Sequence, residues 1–232
     1  MIDLTLIGIG TGSPGHLTRE AIAAMENSDL ILIPVTPGED TGTIREGLCH
    51  RVLVSPPRIA PFPAIGAADA IAAQLETILR ATAATRPCVL VWGDPTLQED
   101  ALTAAQALSL RTPLHLRLVP GITAIQALCA AHLIPVSVSD TPGQIVTGRQ
   151  LREHGWPESV SRIIVIQNDE NALQEIDPEG VKIWWGAYLG MPEQMLRQGP
   201  LGAVGAEIIR LRRQAHERHG WIADCCLLER RA

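Results

Sequence analysis

Glycine-rich loops follow three of the apolar runs in this sequence and are its most informative feature for chemistry. They occupy residues 8–17, 92–97 and 120–124, each directly after a run that predicts a buried strand. Glycines allow a backbone to approach a ligand closely and to present its N–H groups. Since ligands bind beyond the carboxyl ends of parallel strands, we expect the three loops to meet at one edge of a sheet and form one binding site.

The first loop contains one pattern that is typical of dinucleotide cofactors. Gly10, Gly12 and Gly15 have the G-x-G-x-x-G spacing, which in that class opens a helix and precedes an acidic residue about 20 positions later. Here Pro14 stands inside the motif, and Asp29 lies before the second predicted strand instead of at its end. The context disfavours a nicotinamide cofactor, which stays an alternative together with a plain turn that binds nothing.

Several side chains in or beside these loops could take part in a reaction. Asp94 could bind an ammonium group or a ribose hydroxyl, or could serve only as a turn residue before Pro95. His16, Glu99 and Asp100 could each act as a general base, or could be structural or face solvent. No CxxC or HExxH pattern is present, so we expect no metal site.

The elements that must position these loops alternate as strand, loop and helix through the first half of the chain. Apolar patterns predict strands at 4–9, 30–34, 88–92 and 114–118, and helices at 18–25, 43–51, 67–84 and 101–110. Residues 55–63 are rich in proline and predict irregular chain. This alternation predicts an α/β layer fold with a mostly parallel sheet.

The second half predicts a mixed α/β domain, because fewer helices separate its strands. The expected strands are 145–146, 163–167, 182–185 and 221–229, and the expected helices are 123–131, 193–198 and 203–219. A Val-Pro-Gly break at 119–121 interrupts the alternation. We therefore predict two domains, comprising residues 1–116 and 117–232.

Composition excludes several classes of protein. The 232 residues are 46% apolar, which is enough for packed cores and atypical of disorder. A net charge of −6, with Lys182 as the only lysine, argues against nucleic-acid binding. No apolar run reaches the roughly 20 residues of a membrane helix, so we expect no membrane association. Five cysteines without a CxxC pair, and no signal peptide, predict reduced thiols and a cytoplasmic protein.

Seven segments spread over nearly the whole chain carry a resemblance to a known family. Three of them contain the loops: LIGIGTGSPGHLT at 6–18, VWGDPTL at 91–97 and VPGITAIQALCAAHLIPV at 119–136. The others are TGRQL at 147–151, IWWGAYLGMPEQML at 183–196, GPL at 199–201 and HGWIADCCLL at 219–228. Together they resemble the tetrapyrrole (corrin/porphyrin) methylase family, the class III S-adenosyl-L-methionine-dependent methyltransferases.

This resemblance implies a fold, an activity and a set of ligands. The fold is the two-domain tetrapyrrole methylase fold, with the active cleft between the domains, in a homodimer. The methyl donor is S-adenosyl-L-methionine, which leaves as S-adenosyl-L-homocysteine, and the substrate is an anionic tetrapyrrole. The activity implied is methylation of a precorrin at ring carbon 1 with release of acetate. Methyl transfer from a sulfonium requires alignment and exclusion of water more than a metal or a covalent nucleophile.

The resemblance also implies which residues form the site. The cofactor-binding residues are Pro14, Trp92, Gly93, Asp94, Leu97, Thr123, Ala124, Gln167 (or its neighbour Ile166), Leu189 and Gly190. Exposed backbone at Gly93 and at 121–123 is expected to hold the methionine-like end of the donor. The catalytic candidates are Asp94, Glu99 and Asp100. Arg149 and His16 are the candidates for binding the substrate, whose carboxylates call for cationic partners.

Three stretches depart from the pattern usual in the nearest members of this family. They are residues 35–41, 98–101 and 167–169, and they fall around the expected pocket. Two further alternatives therefore stay open. One is a methyltransferase that acts at another position of a precorrin, and the other is a diverged paralogue that binds the donor or a tetrapyrrole without catalysis.

Overall fold

A computed structural model describes residues 1–35, 41–97, 99–137, 143–166 and 172–230, without the side chains of Thr41 and Glu99. The chain divides into two units, Met1–Thr123 and Ala124–Ala232. No helix within these described ranges combines the length and the apolar character needed to cross a membrane.

The first unit is built on a five-stranded sheet with the order β3-β2-β4-β1-β5. Its strands are β1 (Ile2–Gly8), β2 (Leu30–Val35), β3 (Arg58–Pro63), β4 (Pro87–Val91) and β5 (Leu114–Val119). Its helices are α1 (Arg19–Glu26), α2 (Thr41–Val52), α3 (Ala68–Thr82) and α4 (Glu99–Ser109), and a short 3-10 helix spans Pro14–His16. Every strand pair in this sheet is parallel, which confirms the predicted α/β class.

Two apolar cores hold this sheet, one on each face. The central strand β4 is buried along its whole length. Because successive side chains of a strand point to opposite faces, Val89 packs with Leu75 of α3 in one core, whereas Leu90 packs with Met25 of α1 in the other. Burial on both faces explains why β4 is continuously apolar in sequence.

The second unit contains a mixed sheet with the order β6-β7-β10-β8-β9. Its strands are β6 (Gly143–Thr147), β7 (Arg162–Ile166), β8 (Val181–Ala187), β9 (Met195–Pro200) and β10 (Asp224–Arg230). Its helices are α5 (Ala124–His132), α6 (Gly148–His154) and α7 (Leu201–His219). Only the β6–β7 pair is parallel, as expected of a mixed α/β domain.

Two predictions of local structure are wrong. The helix expected at 193–198 is a strand, because β9 pairs antiparallel with β8 from Lys182↔Pro200 to Ala187↔Met195. The stretch 55–63, expected to be irregular, contains β3 at the edge of the first sheet. Its prolines are tolerated because an edge strand needs ladder hydrogen bonds on one side only.

Strand β5 explains where the two units divide. It pairs with β1 from Ile2↔Leu114 to Ile7↔Val119, so residues 117–119 belong to the first sheet. The division accordingly falls after Thr123 and not after residue 116, where the sequence analysis placed it. The active cleft expected between the domains stays a prediction.

All five cysteines are buried free thiols. Burial raises the pKa of Cys49 to about 11 and that of Cys88 to about 12. Burial likewise raises the pKa values of Cys129, Cys225 and Cys226. The cysteines therefore act as small apolar core residues and not as nucleophiles.

Candidate active site

The loops after β1, β4 and β5 lie side by side, because these three strands are neighbours in the parallel sheet. Gly10 and Gly93 form an antiparallel bridge between the first two loops. The Gly93 amide donates to the Gly10 carbonyl at 2.7 Å, and the Gly10 amide donates to the Gly93 carbonyl at 3.2 Å. The third loop joins at Gly121, whose amide donates to Asp94 Oδ2 at 2.9 Å. The loops meet at one edge of the sheet, as predicted.

Two of the glycines at this junction are required because the loops touch each other. A Cβ on Gly121 would lie 2.1 Å from the Gly93 carbonyl oxygen, and a Cβ on Gly8 would lie 2.6 Å from the same atom. Neither contact can be relieved by a side-chain rotation, since both involve backbone. Gly8 and Gly121 therefore allow the three loops to pack directly against one another.

Gly93 differs from these two glycines because space is open beside its α-carbon. Its φ of 64° lies in the left-handed region that favours glycine. Among the described residues, a Cβ at this position would meet only the Thr123 Cα, at the ordinary contact distance of 3.7 Å. Gly93 is thus the glycine of the junction that a ligand could approach.

The Asp94 carboxylate links the second and third loops. Besides the Gly121 amide, it accepts the Thr96 amide at 2.8 Å and the Thr96 hydroxyl at 2.5 Å, both on Oδ1. Burial alone would raise the pKa of Asp94, but these hydrogen bonds to the carboxylate outweigh it and hold the pKa below its ordinary 3.8. Three of the roughly four lone-pair positions of the carboxylate are occupied, so its main task is to hold the loops.

The expectation that exposed backbone at Gly93 and at 121–123 holds the donor stays a prediction, and two of the amides concerned already have partners within the protein. The Gly93 amide is bonded to the Gly10 carbonyl, and the Gly121 amide is bonded to Asp94. Helix α5 begins at Ala124, directly after the third loop. The first amides of a helix lack partners within the helix and favour an anionic group.

Trp92 and Leu97 flank Asp94 in the second loop. The guanidinium carbon of Arg45 lies 4.8 Å from the centre of the half-buried Trp92 ring, within the range of a cation–π contact. Arg45 is itself buried and donates to the Pro34 carbonyl at the end of β2. The Leu97 amide donates to the Asp94 carbonyl at 3.1 Å. The second loop therefore has a defined shape.

The first loop carries Pro14, which is exposed, and His16, which is half-buried. Thr11 Oγ1 lies 2.7 Å from Nδ1 of His16. A Cβ on Gly10 would lie 2.9 Å from the His16 Cβ, so the base of the His16 side chain packs against the residue that bridges to Gly93. Sequence analysis missed Thr11, because no regular period relates positions 11 and 16 in a loop.

Thr123 is the last residue of the first unit, whereas Ala124, Arg149, Leu189 and Gly190 belong to the second unit. Gln167 lies outside the described residues. Arg149 is exposed on α6, one residue after the start of that helix. Leu189 is buried, and Gly190 has a φ of 75°. The Gly190 amide donates to Gln194 Oε1 at 2.7 Å, which fixes the turn after β8.

Sequence analysis also missed Tyr188, which precedes this turn. Its φ of 50° is unusual for a bulky residue. Its hydroxyl donates to the Trp221 carbonyl at 2.6 Å, and its ring packs edge-on against the Trp221 indole. Burial raises the pKa of Tyr188 to about 12, so the phenol stays protonated and keeps this hydrogen bond. No sequence pattern predicts that Tyr188 takes a left-handed conformation and binds the Trp221 carbonyl; only the folded backbone indicates it.

The other candidates for catalysis are less clearly placed. Asp100 is exposed near the start of α4. Glu99 begins the same helix, and its side chain is outside the described part of the structure. Among the residues that the structure does describe, no cluster of three or more His, Cys, Asp or Glu side chains is placed to hold a metal ion.

Asp29 does not have the position that a dinucleotide site requires. Its carboxylate accepts the amide and hydroxyl of Thr85, each at 2.8 Å, and the amide of Arg86. These groups lie just before β2 and β4, at the amino edge of the sheet. Asp29 therefore lies at the opposite end of the strands from the three loops. It cannot serve as the acidic residue that a nicotinamide cofactor site requires.

Comparison with known proteins identifies the class to which this fold and site belong. The model of the family Tetrapyrrole (Corrin/Porphyrin) Methylases matches residues 3–205, and the chain belongs to this family. It is accordingly a methyltransferase of the class that uses S-adenosyl-L-methionine.

Three individual proteins are similar to this chain over nearly its whole length. The chain is 31% identical to a precorrin-6A synthase (deacetylating) from a Sinorhizobium species, over all of this chain and 97% of the relative. The crystal structure of a cobalamin synthesis related protein, CobF, from Corynebacterium diphtheriae is similar with a TM-score of 0.83 and 29% identity, covering 99% of both chains. The uroporphyrin-III C-methyltransferase of Thermus thermophilus, solved with S-adenosyl homocysteine, shares the fold at a TM-score of 0.65 and 18% identity, covering 98% of this chain and 97% of that one.

Proposed function

We propose that this protein is an S-adenosyl-L-methionine-dependent C-methyltransferase of aerobic cobalamin biosynthesis. It methylates precorrin-5 at ring carbon 1 and releases acetate, giving precorrin-6A. The observation that carries this proposal is the 31% identity, over the entire chain, to a relative with that activity in its name. The open Gly93 at the junction of three loops supports it from the structure.

The groups at the junction fit the methyl donor. Gly93 leaves room for a ligand against its backbone, and the half-buried Trp92 offers an aromatic surface beside it. The start of α5 at Ala124 suits the carboxylate of an amino-acid tail. A pyrophosphate would instead need several free loop amides, and those of Gly93 and Gly121 are bonded within the protein.

The donor supplies a methyl group already activated on a sulfonium. The protein therefore has to orient the reacting atoms and keep water away from them. Asp94 and the Gly10–Gly93 bridge hold the loops in one arrangement before any ligand binds. This preorganisation matters because an in-line displacement is sensitive to small errors of alignment.

Incubation with precorrin-5 and methyl-labelled donor tests the proposed activity. We expect labelled precorrin-6A and one equivalent of acetate. Labelled product without acetate would identify methylation at another ring position, and binding of S-adenosyl-L-homocysteine without turnover on any precorrin would identify a non-catalytic paralogue.

Gly93→Ala tests the proposed donor site. The added methyl group fills the open space beside Gly93, so we expect affinity for S-adenosyl-L-homocysteine to fall at least about tenfold, roughly 1.4 kcal/mol. Gly180→Ala is the matched control, since Gly180 has a φ of 67° with nothing within 4 Å of an added Cβ. Both variants carry the same backbone strain of about 1–2 kcal/mol. Calorimetry showing equal affinity in the two variants would contradict the assignment.

Arg149→Gln tests the proposed substrate contact. A charge-assisted hydrogen bond to a carboxylate contributes about 1.5–3 kcal/mol, so we expect KM for the precorrin to rise about tenfold or more. Affinity for S-adenosyl-L-homocysteine should stay the same. Arg80→Gln is the control, because Arg80 is equally an exposed helical arginine and pairs with Glu76 in the first unit. An unchanged KM in Arg149→Gln would exclude Arg149 from the site.

We further propose that the enzyme is a homodimer in the cytoplasm. The resemblance to the family implies the dimer, and the buried free thiols agree with a reducing compartment. Light scattering should give twice the mass of the chain in solution. A monomer at micromolar concentration would overturn the dimer.

A further inference from the structure

Removal of an acetyl group by water requires a residue that activates the water, and membership of the family does not identify that residue. Water attacks a carbonyl slowly unless a base takes its proton as the new bond forms. The four candidates at this edge of the sheet are Asp94, Glu99, Asp100 and His16. The side chains of Asp94, Asp100 and His16 are described, and their surroundings differ enough to identify the most suitable base among the three.

The two described carboxylates are unsuited to the task. Asp94 has three hydrogen bonds from the protein, and its lowered pKa makes it a weak base. Asp100 is the second residue of α4 and is exposed, and no described contact orients its side chain. A general base must be both held in place and basic; Asp94 is held in place but is a weak base, and nothing described holds Asp100 in place.

The imidazole of His16 combines both properties. Its Nδ1 lies 2.7 Å from Thr11 Oγ1, which orients the ring. When Nδ1 carries the proton and donates it to Thr11, Nε2 presents a lone pair. In the described part of the chain no group is hydrogen-bonded to Nε2, and the side chain is half-buried and not sealed in the core.

The location of His16 adds a second, independent observation. Gly10, against which the His16 Cβ packs, is bridged directly to Gly93. A Cβ on Gly10 would come within 2.8 Å of the His16 carbonyl oxygen, so the glycine is needed for this approach. The backbone and Cβ of His16 therefore pack against Gly10, which is bridged to Gly93 in the loop proposed to bind the donor.

We propose that His16 is the general base of acetate release and that Thr11 is the residue that positions it. This inference rests on the proposed function and extends it. His16 Nε2 takes a proton from water while the water oxygen bonds to the acetyl carbonyl carbon. The bond from that carbon to the ring then breaks, and its electron pair stays on the ring carbon as acetic acid departs. The same pair forms the new bond to the methyl group, S-adenosyl-L-homocysteine leaves, and the imidazolium returns its proton to solvent.

Acetate release in a single turnover with precorrin-5 tests the two roles. In His16→Gln we expect release to fall at least about 100-fold, because general base catalysis contributes about 10²–10⁴. Thr11→Val should lose about tenfold, and Thr11→Ser should recover most of that loss, since it keeps the hydroxyl. His115→Gln is the control, because His115 lies near the start of β5, at the opposite edge of the sheet. Each variant should bind S-adenosyl-L-homocysteine within about threefold of the parent, a binding difference of under 1 kcal/mol.

The tautomer of His16 supplies a measurement that does not depend on turnover. Nitrogen-15 NMR should show the proton on Nδ1 in the parent protein and a shift towards Nε2 in Thr11→Val. A proton on Nε2 in the parent, or acetate release in His16→Gln close to that of the parent, would overturn the proposal. Absence of acetate from the parent protein with the Nδ1 tautomer intact would instead overturn the proposed function on which it rests.

Discussion

Gly121→Ala is expected to disrupt the junction of the three loops and with it the stability of the first unit. The new Cβ would lie 2.1 Å from the Gly93 carbonyl oxygen and 2.8 Å from the carbonyl of Gly8. All of these atoms are backbone, so whole loops must move. Overpacking typically costs 1–3 kcal/mol, and we expect about 3 kcal/mol or more here, together with loss of measurable S-adenosyl-L-homocysteine binding.

Gly47→Ala is the matched control for this substitution. Gly47 lies within α2, and an added Cβ there has nothing within 4 Å outside its own helix. Alanine in a helix is favoured over glycine by about 0.5–1 kcal/mol, so this variant should be slightly more stable. Urea denaturation and calorimetry would measure both effects. A Gly121→Ala protein as stable as the parent would show that the three loops do not pack as described.

Asp94→Ala should have the second large effect, because it removes the acceptor for two amides and one hydroxyl. The Gly121 and Thr96 groups that donate to Asp94 are partly buried, and a buried donor left unpaired costs about 1–3 kcal/mol. We expect the free energy of unfolding to fall by about 2–4 kcal/mol. The donor site should be lost as well, since nothing else in the described loops ties Gly121 to the second loop through a side chain.

Asp29→Ala provides a comparison at the opposite edge of the same sheet. Asp29 also accepts two amides and one hydroxyl, but these bonds are exposed and water can replace them. We expect a smaller loss, about 1 kcal/mol, with unchanged affinity for S-adenosyl-L-homocysteine. Equal affinity in the two alanine variants would show that Asp94 has no part in organising the donor site.

The contribution of Asp94 should also depend on pH in a defined direction. Its pKa is lower in the folded protein than the ordinary 3.8, so the folded state favours the carboxylate. The stabilisation is present in full above the ordinary pKa and is lost as pH falls through the lowered one. The difference in unfolding free energy between the parent protein and Asp94→Asn should therefore shrink as denaturation is measured at progressively more acidic pH.

Much of the first unit follows from local features of the sequence. The continuous apolar run of β4 predicts a strand buried on both faces, and the glycines after β1 and β4 predict loops at its carboxyl edge. Threonine is a preferred N-cap residue, and the hydroxyl of Thr18, where the helix at 18–25 is predicted to begin, accepts the Ala21 amide at 3.0 Å. These features are predictable because strand burial and helix capping depend on residues close together in the chain.

In the second unit, local sequence patterns do not predict every element correctly. Residues 193–198 are predicted to be a helix, yet β9 begins at Met195 because β8 offers an unpaired edge. The left-handed conformation of Tyr188 is likewise held by the Trp221 carbonyl, 33 positions away in sequence. Long-range pairing overrides weak local preferences, and no local pattern records it.

The sequence by itself determined that three glycine loops follow parallel strands and that they resemble those of tetrapyrrole methylases. Only the tertiary structure decided what each glycine does. Neighbouring backbone fills the space beside Gly8 and Gly121, whereas the space beside Gly93 stays open, and the Asp94 carboxylate links the second and third loops. The physical reason is that the space beside a residue, and the partners of its polar atoms, depend on segments that meet only when the chain has folded.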